Sequence, residues 1–217
     1  MQTSTAYQDN NSFLTEHIPY RIGSLHLAVQ IYDHFLQKNP MDTLKGRHIY
    51  KDAELALGID QNAPQTVRLL TNPIVETATI HCRQLAEFLG IKKDRNSDNL
   101  IFKLLPQNKL NPKNETMYLT HFINLNPHPD LDRYRDIIRQ KADVDIANAF
   151  DTSLLVAIKA GHKAVAHLTR KAFDPDRSPE FLRYACIILS ELINYYLQIN
   201  HLVPRIAFYS NINGIEH

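Results

Sequence analysis

Apolar positions recur at helix spacing along most of this chain. In HIPYRIGSLHLAVQIYDHFLQKN, Ile18, Ile22, Leu25, Val29, Tyr32 and Leu36 alternate steps of four and three. Such spacing gathers them into one stripe on a long helix, and Pro19 suits its first turn, where no backbone N–H is needed. RHIYKDAELALGID ends in Gly58 followed by Ile59, and NPIVETATIHCRQLAEFLGIK ends in Gly90 followed by Ile91. A glycine there permits the left-handed closing residue, and the next apolar side chain folds back on the last turn. The second of these segments carries the stripe Ala78, Cys82, Leu85 and Leu89.

The pattern weakens over residues 92–130. KKDRNSDN is a polar loop, whereas NLIFKLL and MYLTHFINL are short apolar runs that fit strands or helical turns equally. A connection this long in a bundle is expected to carry structure of its own. Helix spacing returns in DLDRYRDIIRQKADVDIANAF and continues into DTSLLVAIKAGHKAVAHLTRKAF, with Asp151 or Thr152 as expected N-cap. In the latter, Leu155, Ile158, His162, Val165 and Thr169 follow core spacing. Ala157, Ala160, Gly161 and Ala164 form a second stripe of small residues, which lets a neighbouring helix approach.

The last helix is marked by Ser178 as N-cap, Pro179 at its first position and Glu180 near its positive end. Two apolar stripes follow, Phe181–Ala185–Ile188–Leu192–Tyr195–Ile199 and Leu182–Leu189–Ile193–Tyr196. A helix apolar that far round is either central or shared with a partner subunit. The expected architecture is an all-α, single-domain helical bundle over residues 14–203, with a long irregular insertion around 92–130. Residues 1–13 and 204–217 read as tails.

Composition changes this picture little. The 217 residues are 44% hydrophobic and 22% charged with a net charge of +1, so any attraction to nucleic acid must be local. No window approaches the run of about 18 apolar residues that a membrane span needs. Residues 1–13 are polar and carry no secretory pattern. The two cysteines, Cys82 and Cys186, lie in apolar helical patterns and read as buried free thiols in a reducing compartment. A cytoplasmic protein without membrane contact is expected.

Candidate chemistry concentrates in two segments. AGHKAVAHLTRKAF and the Lys159 just before it place Lys159, His162, Lys163, His167, Arg170 and Lys171 together, with no acid between Asp151 and Asp174. The plain account is a solvated face whose cations favour the negative end of the helix, with His167 as a structural histidine at the core edge. In NPIVETATIHCRQLAEFL, Glu76, Arg83 and Glu87 share a face at steps of seven and four. They form either an intrahelical ion-pair ladder or a polar pocket facing another helix. Gly-rich phosphate loops, HExxH, CxxC and a Gly-x-Ser-x-Gly elbow are all missing from the sequence. His162 and His167, five apart, do not share a ligand face, so neither metal nor cofactor is expected.

HKAVAHLT, set between a small-residue helix and an apolar C-terminal helix, resembles the Arg-Asn-Lys-x-x-Ala-His segment of HEPN domains. ETATIHCRQLAEFLG resembles the Glu-x-x-x-Ile-x-x-Arg-x-Leu-x-Glu-Phe-Leu helix of small helical proteins sharing the Lys-x-x-Ala-His-Leu-Thr run. The two segments cover 23 of the 217 residues. The resemblance implies a HEPN-like helical bundle, often dimeric. Active members are metal-independent ribonucleases of toxin and phage-defence systems. In them a histidine serves the attack by the ribose 2′-hydroxyl and an arginine stabilises the scissile phosphate, roles that suit a group titrating near neutrality and a permanent forked cation.

Carried over, the histidine is His167 and the lysine Lys163, while His162 stands in place of the asparagine. The arginine's place falls among Ala160, Gly161 and His162, so the family's arginine is lacking. Arg83, Arg170, Lys159 or Lys163 must then meet the phosphate charge. The expectation is a non-catalytic HEPN-like module that binds RNA or a protein partner, with His162, Lys163, Arg170, Glu76 and Glu87 as binding residues. Two alternatives stand beside it. One is a metal-independent ribonuclease using His167 with Arg83 or Arg170, and the other a ligand-free structural protein dimerising through its C-terminal helix.

Overall fold

Ile18, Ile22, Leu25, Val29 and Tyr32 are all buried and form the inner face of helix α1 (Ile18–Leu36). A computed structural model describes residues 12–36, 64–104, 117–123, 125, 129–166, 179–200 and 202, with backbone alone at 34–36, 64–72, 163–166 and 179. The chain enters α1 through a π-type turn, Phe13–His17, whose Phe13 stacks on Phe122 at 5.5 Å between ring centroids. The other helices are α2 (Pro64–Phe88), α3 (Leu131–Lys141), α4 (Val144–Asn148), α5 (Phe150–Ala166) and α6 (Pro179–Ile199). A two-stranded antiparallel hairpin, β1 (Ile91–Lys93) with β2 (Leu100–Phe102), pairs Lys92 with Ile101. The fold is all-α, and among the described residues no helix is long and apolar enough to cross a membrane.

α6 is the hub, packed against α1, α2, α3 and α5. Its Ala185, Ile188, Leu189, Leu192 and Ile193 are wholly inaccessible to water. Each such aliphatic side chain larger than alanine contributes about 2 kcal/mol of burial. Both apolar stripes of α6 are therefore satisfied chiefly by the chain's own helices, which is the central-helix alternative. Ile199 stays exposed, and Phe181, Leu182 and Tyr195 are half-buried.

Gly90 closes α2 as its sequence predicts, with φ +78, and Ile91 behind it is buried. A second constraint acts there: a Cβ on Gly90 would stand 2.7 Å from Leu104 Cβ. From α3, the buried Tyr134 hydroxyl donates to the Leu89 carbonyl at 2.9 Å and ties that corner to the core.

Several boundaries differ from expectation. α2 begins at Pro64, upstream of the segment that carries its apolar stripe, and passes through Pro73. Proline removes only one helical N–H bond, and the packing of residues 78–89 outweighs that loss. NLIFKLL supplies β2, while MYLTHFINL holds a 3-10 turn at Leu119–His121. Asp151 and Thr152 are not caps. α5 already starts at Phe150, Ser153 N–H donates to the Ala149 carbonyl, and Asp151 instead receives two bonds from Arg135, at 3.0 and 2.7 Å. Asp130 does cap α3, accepting from Arg133 N–H at 2.8 Å. The segment around Gly58, and Ser178, lie outside the described residues.

Candidate functional site on the α2–α5 face

α5 lies flat on α2 because its contact residues are small. Ala157 and Ala160 are buried, and a Cβ on Gly161 would come within 2.7 Å of Arg83 Cβ and 3.0 Å of the Thr79 carbonyl. The inward stripe of α5 is thus Phe150, Ser153, Leu154, Ala157, Ile158 and Gly161. His162 was expected on a core stripe with Leu155 and Ile158, but it is exposed. The small residues win the inner face because only they allow this separation between helix axes. Gly161 is a contact glycine, and the residue it admits is an arginine from the opposite helix.

Arg83 emerges beside His162. Its Nε sits 3.5 Å from Glu87 Oε1, one turn along α2, with both side chains about a third exposed or less. His162 is held below its ordinary pKa, first by partial burial and then by the Arg83 charge; Glu87 opposes this and Lys93 reinforces it. A histidine in this setting is largely neutral at physiological pH, and its ring nitrogens can accept as well as donate. Of the expected ladder, the Arg83–Glu87 rung forms, whereas Glu76 makes no ion pair among the described residues.

The hairpin closes one side of this face. Asp98, in the β1–β2 turn, places Oδ2 at 2.7 Å from Lys159 Nζ on α5 and Oδ1 at 3.3 Å from Lys93 Nζ on β1. Lys93 also donates to the carbonyls of Asp94 and Ser97, at 3.0 and 2.9 Å. The turn is shaped by Asp94, which accepts from Ser97 Oγ at 2.8 Å and from Asn96 N–H at 3.2 Å. Lys93 and Asp98 were missed in the sequence because their partner, Lys159, lies some 60 residues away in the chain. The polar run KKDRNSDN was the one available signal.

The structure therefore brings together Arg83, Glu87, His162, Lys93, Lys159 and Asp98. His167 and Arg170 lie outside the described residues, as does the Lys163 side chain. Among the described residues no group of three or more His, Cys, Asp or Glu side chains is placed to hold a metal ion.

A second polar set lies inside the bundle and differs in kind. Cys82 of α2 and Cys186 of α6 are buried free thiols with sulfurs 3.6 Å apart. That contact, together with burial, pushes the Cys82 thiol well up. His26 and His81 are buried on α1 and α2, and burial lowers each to about 4, with the nearby Arg21 adding to the effect at His81. Comparison of the chain with protein-family models, with curated proteins and with solved structures found no match.

Proposed function

We propose that this protein is a HEPN-like, non-catalytic module that binds RNA through the α2–α5 face, in the cytoplasm. The observation that carries this reading is the seat of Arg83: Gly161 leaves room for it, and it emerges beside His162. The face thus gains from α2 the guanidinium that its own α5 segment lacks. The cations are held in pairs, Arg83 with Glu87, and Lys93 and Lys159 with Asp98. Paired surface cations suit modest, salt-sensitive binding of a phosphate backbone better than stabilisation of a scissile phosphate, which calls for an unencumbered fork. The buried free thiols support a reducing compartment.

A fluorescent single-stranded RNA titrated with the protein tests this. Binding that weakens steeply with salt, without cleavage of the RNA, is the expected result. No binding at low salt would overturn the reading. Cleavage that persists in chelator and disappears in His167→Ala would replace it with the ribonuclease alternative. Among the described residues, the large apolar side chains that α6 leaves for a partner are the exposed Ile199 and the half-buried Phe181, Leu182, Tyr184 and Tyr195, and we do not adopt a homodimer through it.

A further inference from the structure

Asp98 is held in an unusual way for a turn residue. Each oxygen of its carboxylate takes a different ammonium, one from β1 and one from α5. The side chain is 72% exposed, against 25% and 30% for Lys93 and Lys159. The two lysines are therefore partly sheltered, while the acid that joins them stands in water. One anion bridging two cations from separate elements is the geometry of a bound oxyanion, here supplied by the chain itself.

We propose that the Asp98 carboxylate occupies the seat of a ligand phosphate, gripped by Lys93 and Lys159, and that a phosphate group of a bound RNA strand displaces it. The source of that phosphate rests on the RNA-binding reading above; the anion seat does not. Displacement is easy because exposed ion pairs are weak and the turn does not depend on this one. With Asp98 gone, Lys93 keeps its bonds to the Asp94 and Ser97 carbonyls, and Asp94 still holds Ser97 and Asn96. One N–H donor of the Lys93 ammonium and one of the Lys159 ammonium, both still protonated, become free for the incoming anion. The seat adjoins the rest of the face, since Lys159 and His162 are three apart on α5 and Lys93 acts on His162. The exposed acid thus acts as an internal competitor that lowers affinity for stray anions and yields to a strand making further contacts.

Asp98→Ala tests this against Asp136→Ala, which removes the same charge from the exposed Arg139 pair on α3. Each is titrated with inorganic pyrophosphate and with the RNA oligonucleotide. Asp98→Ala is expected to bind both probes about three- to tenfold more tightly than Asp136→Ala, from two freed charge-assisted contacts. Adding Lys159→Ala should abolish that gain. Equal affinities of the two single variants for pyrophosphate would overturn the anion seat, whatever the RNA result. Tighter pyrophosphate binding by Asp98→Ala without RNA binding by any variant would keep the seat and remove the RNA reading.

Discussion

The two sides of α2 treat charge in opposite ways. Toward α1 and α6, His81 and Cys82 are buried, and both are driven to their neutral forms. Toward α5 and the hairpin, Arg83 and Glu87 pair with each other where water still reaches them. Burial without a counter-charge disfavours the ionised state by far more than a single hydrogen bond returns, so the first side is structural. The second side keeps charge at an accessible seam, where a ligand with its own charge can exchange partners. Ala157, Ala160 and Gly161 together set how closely that seam closes, and Gly161 is the one with no room for even a Cβ.

The comparison breaks most visibly at Gly161. Gly161→Leu must force α5 off α2, because even a Cβ meets Arg83 Cβ at 2.7 Å and the Thr79 carbonyl at 3.0 Å. The expected loss is about 2–4 kcal/mol, which lowers the thermal midpoint by roughly 5–12 °C for a domain of this size. A melt with an unchanged midpoint would mean that the seam is looser than described.

Acid should act on the buried side. His26 and His81 have folded pKa values of about 4, while the unfolded chain titrates near 6.5. Between these values the unfolded state binds more protons, so stability is full above about pH 6.5 and falls as pH drops toward 4. The loss is on the order of 2 kcal/mol per histidine, less than a fully dry ring would give. Urea melts from pH 7.5 to 4.5 measure it, and a histidine-to-glutamine change at either position should flatten the slope. A flat profile in the unmodified protein would contradict the burial of these rings.

The smallest effect concerns the thiols. Cys82 and Cys186 should resist alkylation at pH 8 in the folded protein and react readily in denaturant, because burial shields both sulfurs from the reagent and also disfavours the reactive thiolate at Cys82. Mass spectrometry counts the modified sites. Rapid labelling of the native protein would place the pair at the surface.

What the sequence disclosed follows the range of the interactions involved. The α1 stripe, the Gly90 stop and the apolar surface of α6 are set by residues three or four apart, and they were legible. The orientation of α5 was not. Its leucine and isoleucine spacing pointed to His162 as a core-edge residue, but the axis separation from α2 is decided by Ala157, Ala160 and Gly161, which carry little hydrophobic signal. Arg83 was legible as a candidate through the resemblance and the Glu76–Arg83–Glu87 spacing. Its meeting with His162 depends on a glycine on another helix. Lys93 and Asp98 gave no pattern, because an ion pair between a turn and a distant helix leaves no periodicity.

The central claim is that Arg83 at this seam contacts a phosphate backbone. Its pair with Glu87 is a partly exposed intrahelical one, so Arg83→Gln should change stability by less than about 1 kcal/mol. RNA affinity across a salt series, measured by anisotropy for the unmodified protein and for Arg83→Gln, tests the claim most directly. Arg83→Gln is expected to bind about five- to tenfold more weakly, with a logarithmic salt slope shallower by about 0.7, one phosphate contact on a single strand. Equal affinities and parallel salt slopes would contradict it.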